Sequence, residues 1–142
     1  MALFNVLIVD DEQEFRTMTM KRLSKRDILC DGAEDGEKAL ERIKKGDIDV
    51  VLLDVKMPGM DGIETLREIK RLRPLTEVVM LTGHASVESG IDGMKLGAFD
   101  YLMKPMELEP LLEKLKDAYE KKKMQQDKIE TAQIKRDMAM PS

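Results

Sequence analysis

The sequence predicts an α/β protein built on one doubly wound parallel sheet, and three observations support that fold class. The first is a series of five short apolar runs, each bounded by polar or turn-forming residues. The second is the alternation of these runs with helical patterns along the chain, which is typical of a parallel sheet covered by helices on both faces. The third is the presence of polar residues where the runs end, which is where open α/β sheets bind their ligands.

The first strand and helix follow from the order of apolar and acidic residues. Residues 3–9 form an apolar run that ends at Asp10-Asp11-Glu12. An acidic residue at this point favours the start of a helix through the helix dipole. The helix that follows has a rough apolar face made by Phe15, Met18 and Leu23. Residues 27–33 form a second, weaker strand, and the polar Asp31 within it indicates a position at the edge of the sheet.

The second helix and third strand lead to a single carboxylate. Asp35 opens this helix and Gly46 ends it. Residues 50–53 are an unbroken apolar run, which predicts a strand buried on both faces. Asp54 follows at once, before a loop rich in proline and glycine. An aspartate at the end of a strand is commonly a turn former or a helix cap, so its role depends on residues elsewhere in the chain.

The second half of the chain repeats the alternation. Residues 63–72 are the third predicted helix, which stops before a proline. Residues 77–81 are the fourth strand and place Thr82 at its end. A short fourth helix follows, capped by Ser86, with an apolar face made by Val87, Ile91 and Met94. Residues 98–103 are the fifth strand, which ends at Lys104-Pro105.

The last helix is predicted to begin near Glu107, with Pro110 tolerated in its first turn. Its inward-facing residues are Leu108, Leu111, Leu112, Leu115 and Tyr119. Residues 122–142 are highly charged and could prolong this helix, but they lack a sustained heptad pattern. We therefore expect one domain over residues 1–121 and a charged extension, helical or disordered, with no output domain.

Composition excludes several functional classes. The 142 residues carry a net charge of −4, with basic and acidic residues balanced almost throughout, so no nucleic-acid partner is expected. No segment is long and apolar enough for a membrane span and no leader pattern is present, so we expect a cytoplasmic protein with no membrane partner. Cys30 is the only cysteine, which excludes an intrachain disulfide, and its apolar neighbours predict a buried thiol.

A flavodoxin-like strand order of 2-1-3-4-5 would place the first and third strands side by side at the topological switch point. In that order Asp10, Asp11 and Asp54 converge on one crevice, and Thr82 and Lys104 lie on its other side. Each residue alone is unremarkable. Their predicted convergence is the signal for a functional site.

These residues closely resemble the receiver domain of bacterial two-component response regulators. The matching features span residues 3–120 in the order and spacing of that family: Asp10-Asp11, Asp54 before Met57-Pro58-Gly59-Met60-Asp61-Gly62, Thr82, Tyr101 and Lys104-Pro105. The resemblance implies a signalling switch in a two-component phosphorelay. It does not imply an enzyme, since such a domain promotes only its own phosphorylation and dephosphorylation.

The resemblance also implies a metal and a phosphoacceptor. Asp54 would accept a phosphoryl group from the phosphohistidine of a sensor histidine kinase or a phosphotransfer protein. Asp11, Asp54 and the Lys56 carbonyl would ligate Mg²⁺, while Asp10 would hold a coordinated water. This is physically reasonable because a hard divalent cation with oxygen ligands relieves the repulsion among crowded carboxylates.

Further roles follow from the same resemblance. Lys104 would supply positive charge to the transferred group, and Thr82 would bind one of its oxygens. Tyr101 would follow Thr82 inward as the switch. Lys56 and His84 occupy the two positions that tune dephosphorylation, and both would flank the path of the attacking water. The surface made by the fourth helix, fifth strand and fifth helix would contact an unknown downstream protein or a second copy of the chain.

Two other functions fit these residues less well. A metal-dependent phosphatase of the haloacid dehalogenase type also uses an aspartate at a strand end, but it needs a second aspartate two residues later, where this chain has Lys56. An interaction module that works without phosphorylation would not need the acidic set.

The fourth helix contains two glycines whose purpose the sequence leaves open. Gly90 and Gly93 each cost roughly 1 kcal/mol relative to alanine in a helix interior. They either allow the helix to pack closely on the sheet or leave it loosely held, so that it shifts on phosphorylation.

Overall fold

The computed structural model describes residues 4–57, 59–83 and 87–139. Its strands are β1 (Asn5–Val9), β2 (Leu29–Ala33), β3 (Val50–Leu53), β4 (Glu77–Thr82) and β5 (Asp100–Met103). All are parallel, and they form one sheet in the order β2-β1-β3-β4-β5. The predicted strand order and the edge position of β2 are both confirmed.

The helices are α1 (Gln13–Ser24), α2 (Gly36–Lys44), α3 (Gly62–Leu72), α4 (Val87–Lys95) and α5 (Leu108–Ala139). Two of them begin at aspartates that act as N-caps. The Asp35 carboxylate accepts a hydrogen bond from the Lys38 backbone N–H at the start of α2, and Asp61 accepts one from Glu64 at the start of α3. Each cap satisfies a backbone N–H that has no partner within the helix, so these helix starts are encoded locally.

Alternate residues of the strands point to opposite faces of the sheet, which divides the core into two layers. One layer joins the sheet to α2 and α3 through Leu7, Val51, Leu53, Val78, Ala39, Ile43, Leu66 and Ile69. The other joins it to α1 and α5 through Val6, Ile8, Leu52, Val79, Leu23, Leu111 and Leu115. Every residue of β3 and β4 is buried, which explains their continuous apolar runs.

Three details of the sequence prediction require correction. The second strand begins at Leu29 rather than at Asp27, because Asp27 adopts a left-handed backbone with φ of 65°. Cys30 is half-buried rather than buried, because β2 is an edge strand with one open side. Met18, which was assigned to the apolar face of α1, is 46% exposed.

The glycines of α4 lie where the helix packs on the sheet. A Cβ atom added at Gly93 would lie 2.8 Å from the Met80 sulfur, and one added at Gly90 would lie 3.3 Å from the Tyr101 ring. Both distances are short for a carbon in van der Waals contact. The geometry therefore favours the close-packing interpretation of these glycines. The apolar residues Ile91 and Met94 lie on the outer side of α4, each 48% exposed.

The helix α5 continues through residues 122–139, most of which are exposed. It contacts the amino-terminal ends of the strands at three points. The Tyr119 ring stacks on Phe4 with 4.8 Å between centroids, and Lys122 pairs with Asp49 at 2.5 Å. The third point is an ion pair of 3.4 Å between Lys121 and the buried Glu77. Within the described ranges, no helix has the length and apolar character needed to cross a bilayer.

Candidate functional site

The carboxyl ends of β1 and β3 place two aspartates side by side. The two strands are paired in register, with Val9 opposite Leu53. Asp10 directly follows Val9 and Asp54 directly follows Leu53, so the two aspartates are neighbours at this edge of the sheet. The Asp54 backbone N–H donates to the Val9 carbonyl at 2.9 Å. Asp10 is 1% exposed and Asp54 is 5% exposed. Two carboxylates are thus held at the floor of a crevice by the register of the sheet.

Four carboxylates meet in this crevice. Each of Asp10, Asp11, Glu12 and Asp54 offers an oxygen, and these oxygens all lie within 4.8 Å of one another. Asp10 and Asp54 are buried, while Asp11 and Glu12 are exposed and leave the group open to solvent. The residues therefore fit a hard divalent cation, which takes oxygen ligands and keeps part of its water shell. Glu12 was not among the predicted ligands of this group, although its position directly after the aspartate pair is a signal that could have indicated it.

The Lys104 ammonium lies close to three of these carboxylates. Its Nζ atom is 2.6 Å from Asp10 Oδ2, 3.6 Å from Glu12 Oε1 and 3.8 Å from Asp54 Oδ2. The Lys104 side chain is only 14% exposed. Its backbone N–H donates to the Thr82 carbonyl at 2.9 Å, which ties the end of β5 to the end of β4. The predicted approach of Lys104 to the acidic group is therefore present in the structure.

Burial and pairing shift two pKa values in this group. Burial raises the pKa of Asp10, against the opposing effect of its hydrogen bond from Lys104, and the nearby Asp54 charge raises it further. Burial by itself would lower the pKa of Lys104, but the hydrogen bond to Asp10 and the surrounding carboxylates raise it. Lys104 therefore remains a cation at neutral pH and offsets part of the local negative charge.

An aromatic ring also contacts the lysine. The Lys104 Nζ atom lies over the Phe15 ring, 4.0 Å from its centroid. Phe15 is half-buried and packs against the core layer beneath α1. Phe15 lies on the predicted apolar face of α1, and the sequence pattern alone does not indicate that it is part of the site.

The remaining predicted site residues lie at different distances from the crevice. Thr82 is fully buried at the end of β4 and is paired with Met103. Tyr101 is half-buried one strand further out, next to Gly90 of α4. The Lys56 side chain is exposed, and its backbone N–H is 3.4 Å from Asp54 Oδ1. His84 and the predicted cap Ser86 lie outside the described residues.

The loop after Asp54 returns so closely that one position accepts only glycine. A Cβ atom at Gly62 would lie 2.4 Å from the Asp54 carbonyl oxygen and 2.6 Å from the Val55 Cα. The Gly62 N–H donates to the Val55 carbonyl at 2.7 Å, which closes the loop. Gly62 therefore shapes the backbone that carries Asp54 and Lys56.

Comparison with known proteins gives a consistent result. The family model of the response regulator receiver domain matches residues 6–116. The transcriptional regulatory protein ZraR of Escherichia coli K12 is 39% identical over 114 residues, which cover 80% of this chain and 26% of ZraR. The DNA-binding transcriptional regulator NtrC of the same organism is 35% identical over 104 residues, 73% of this chain and 22% of NtrC. The chain spans about a quarter of the length of these curated relatives.

Solved structures support the same assignment. A CheY-like receiver domain protein from Methanospirillum hungatei JF-1 superposes with a TM-score of 0.84 at 31% identity, covering 87% of this chain and 99% of that one. A receiver domain from Clostridium thermocellum gives 0.82 at 34% identity, covering 86% and 98%. NtrX from Brucella abortus gives 0.84 at 31% identity, covering 92% of this chain and 30% of NtrX. This chain belongs to the response regulator receiver domain family.

Proposed function

We propose that this chain is a signalling switch activated by phosphorylation of Asp54. The observation that carries the proposal is the position of that carboxylate, which lies at the end of a central strand within a group of four carboxylates and 3.8 Å from the Lys104 Nζ atom. The donor would be the phosphohistidine of a sensor histidine kinase or of a phosphotransfer protein. Family membership supports this role, since receiver domains are the phosphorylated part of response regulators.

The acidic group fits Mg²⁺ because all of its side-chain donors are carboxylate oxygens, two of which are open to solvent. Asp11, Asp54 and the backbone carbonyl of Lys56 would hold the ion directly, and Asp10 would hold one of its waters. When bound, Mg²⁺ would supply positive charge to the carboxylates and to the phosphoryl oxygens.

The protein side chains would do the rest of the chemistry by position and charge. An Asp54 carboxylate oxygen attacks phosphorus, the P–N bond of the phosphohistidine breaks, and the electron pair of that bond leaves with the imidazole. The transition state is loose and spreads negative charge over the phosphoryl oxygens. Lys104, with its Nζ atom 3.8 Å from Asp54 Oδ2, is close enough to bind one of these oxygens after a small movement. Thr82 would bind another.

The switch would connect the phosphoryl group to the outer surface through Thr82 and Tyr101. Movement of Thr82 toward the new oxygens would draw Tyr101 inward from its place beside α4. The face formed by α4, β5 and α5 carries exposed apolar side chains, among them Ile91, Met94 and Met103. We propose this face as the contact with a second copy of the chain or with the downstream target, which is an attached domain or a separate protein.

Phosphatase turnover of the haloacid dehalogenase type has no comparable support. That chemistry needs a carboxylic acid two residues after the nucleophile, and the residue there is the exposed Lys56. A lysine side chain has no carboxyl group, so Lys56 cannot replace a carboxylic acid that shuttles between acid and base.

The test is direct labelling of the acceptor. Incubation with Mg²⁺ and acetyl phosphate should add one acid-labile phosphoryl group, seen by intact-mass spectrometry, and Asp54→Asn should abolish it. The matched control is Asp127→Asn, which removes an exposed carboxylate of the α5 extension and should be labelled like the parent. Full labelling of Asp54→Asn would show that another residue is the acceptor.

A further inference from the structure

The Lys104 ammonium is held in a place that disfavours an isolated charge. Its side chain is 14% exposed, so most of its hydration is lost. The carboxylates of Asp10, Glu12 and Asp54 recover part of that loss at 2.6, 3.6 and 3.8 Å. Only the contact with Asp10 is a hydrogen bond. The stability of the ammonium in this position therefore also depends on the other groups that contact it.

The Phe15 ring is the further partner. The Lys104 Nζ atom is 4.0 Å from the ring centroid, well inside the roughly 6 Å at which an aromatic face attracts a cation. The attraction is stronger where the cation has lost its water, as this one has. Phe15 follows Asp11 by four residues in the first turns of α1, so the backbone that starts the helix places the ring beside the acidic group.

The ring differs from the carboxylates in one respect that matters for phosphorylation. The carboxylates share their negative charge with a metal ion when one binds, which weakens their hold on Lys104. The ring is neutral, and its attraction for the ammonium arises from its quadrupole. Phe15 is therefore the contact of Lys104 that persists when the acidic group is neutralised.

We propose that Phe15 is a positioning residue, whose aromatic face holds the Lys104 ammonium beside Asp54 and thereby accelerates phosphoryl transfer. This inference rests on the proposed function, since it concerns the rate at which Asp54 is phosphorylated. Lys104 has a flexible four-carbon stem, fixed at its base by the hydrogen bond from its backbone to Thr82. Without the ring, the ammonium would sample more positions, and fewer of them would meet an incoming phosphoryl oxygen.

A purely structural role for Phe15 is the competing explanation. The ring forms part of the wall of a cavity of about 260 Å³ between α1 and the start of α5, together with Met18, Leu81, Pro105 and Met106. An ordinary substitution at Phe15 would change both this packing and the contact with Lys104. The experiment must therefore alter the charge on the ring face and keep its shape.

Site-specific fluorination of Phe15 meets that requirement. Mono-, di- and trifluorophenylalanine withdraw electron density from the ring face in steps while nearly preserving its size. We expect the rate constant for phosphorylation by acetyl phosphate, measured with saturating Mg²⁺, to fall at each step and to reach about a three- to fivefold loss. The melting temperature should change little. The same series at Phe4, which stacks on Tyr119 away from the crevice, should leave the rate unchanged.

Two further variants make the result decisive. Phe15→Leu should be as slow as the trifluorinated protein, because both lose the attraction. In a Lys104→Met background the fluorine series should have no effect, because no cation remains to be positioned. A rate that does not change with fluorination, in a parent protein that is labelled at Asp54, would overturn this inference and leave the proposed function intact. Absence of labelling in the unmodified protein would overturn both.

Discussion

Replacing Gly93 with alanine tests whether α4 is packed tightly on the sheet or simply lacks stiffness. Helix propensity alone would make the substitution stabilising by about 1 kcal/mol. The added methyl group would, however, lie 2.8 Å from the Met80 sulfur, and Met80 is fully buried. Displacing a side chain in a packed core costs about 1–3 kcal/mol. We therefore expect Gly93→Ala to lower the free energy of unfolding by about 1 kcal/mol, with a melting temperature about 3–4 °C lower.

Gly90 provides the matched comparison in the same helix. Its added methyl group would lie 3.3 Å from a carbon of the Tyr101 ring, a longer distance than at Gly93, and Tyr101 is half-buried on an edge strand. The gain in helix propensity should then outweigh the contact, so we expect Gly90→Ala to stabilise the protein by about 0.5 kcal/mol. Urea denaturation followed by circular dichroism measures both changes.

A double-mutant cycle tests whether the contact with Met80 causes the loss of stability in Gly93→Ala. In a Met80→Ala background the sulfur is gone, so Gly93→Ala should become stabilising by about 1 kcal/mol, a reversal of sign. If Gly93→Ala instead stabilises the parent protein as much as Gly90→Ala does, the contact with Met80 is not limiting. The close-packing explanation would then be wrong.

Two other outcomes follow from the charges and burial of particular groups. Without divalent cations, Asp54→Asn should raise the free energy of unfolding by about 1–3 kcal/mol, because it removes one of four crowded carboxylates. In thermal melts, Mg²⁺ should stabilise this variant less than the parent protein. An unchanged melting temperature would mean that Lys104 already offsets the repulsion. Burial raises the pKa of the Cys30 thiol to about 11 from 9.0, so its thiolate population at pH 8 should be roughly a hundredfold lower than that of a free thiol, and alkylation by iodoacetamide roughly tenfold slower. The unfolded chain loses the Cys30 proton first as pH rises, so the stabilising contribution is present below pH 9 and is lost toward pH 11; alkylation at the rate of a free thiol would contradict this.

Much of the fold could be predicted from local sequence. The apolar runs of β3 (residues 50–53) and of β4 (residues 78–81) are buried on both faces, and central strands of a parallel sheet are typically apolar along such a run. The caps Asp35 and Asp61 act on backbone groups three residues away, so helix starts also depend on near neighbours. The flavodoxin-like strand order then predicted the convergence of Asp10, Asp11 and Asp54, and the family resemblance, carried by five short motifs, assigned chemical roles to them. The chemical role of Asp54 stays a prediction.

The solvent exposure of individual side chains was less predictable, because it depends on which other helices and strands pack against them. Met18 and Ile91 fit the apolar pattern of their helices, yet each side chain is about half exposed. Cys30 has apolar neighbours in sequence, but the open edge of β2 leaves it half-buried.

Only the tertiary structure decided the contacts within the site and beneath α4. The ion pair between Asp10 and Lys104 joins residues 94 positions apart, and the contact of Lys104 with Phe15 depends on how α1 and β5 meet at the edge of the crevice. The approach of Gly93 to Met80 likewise depends on the distance between a helix and a strand. Local patterns determine which residues face the core, whereas the packing of whole elements sets, to a few tenths of an ångström, which side chains touch.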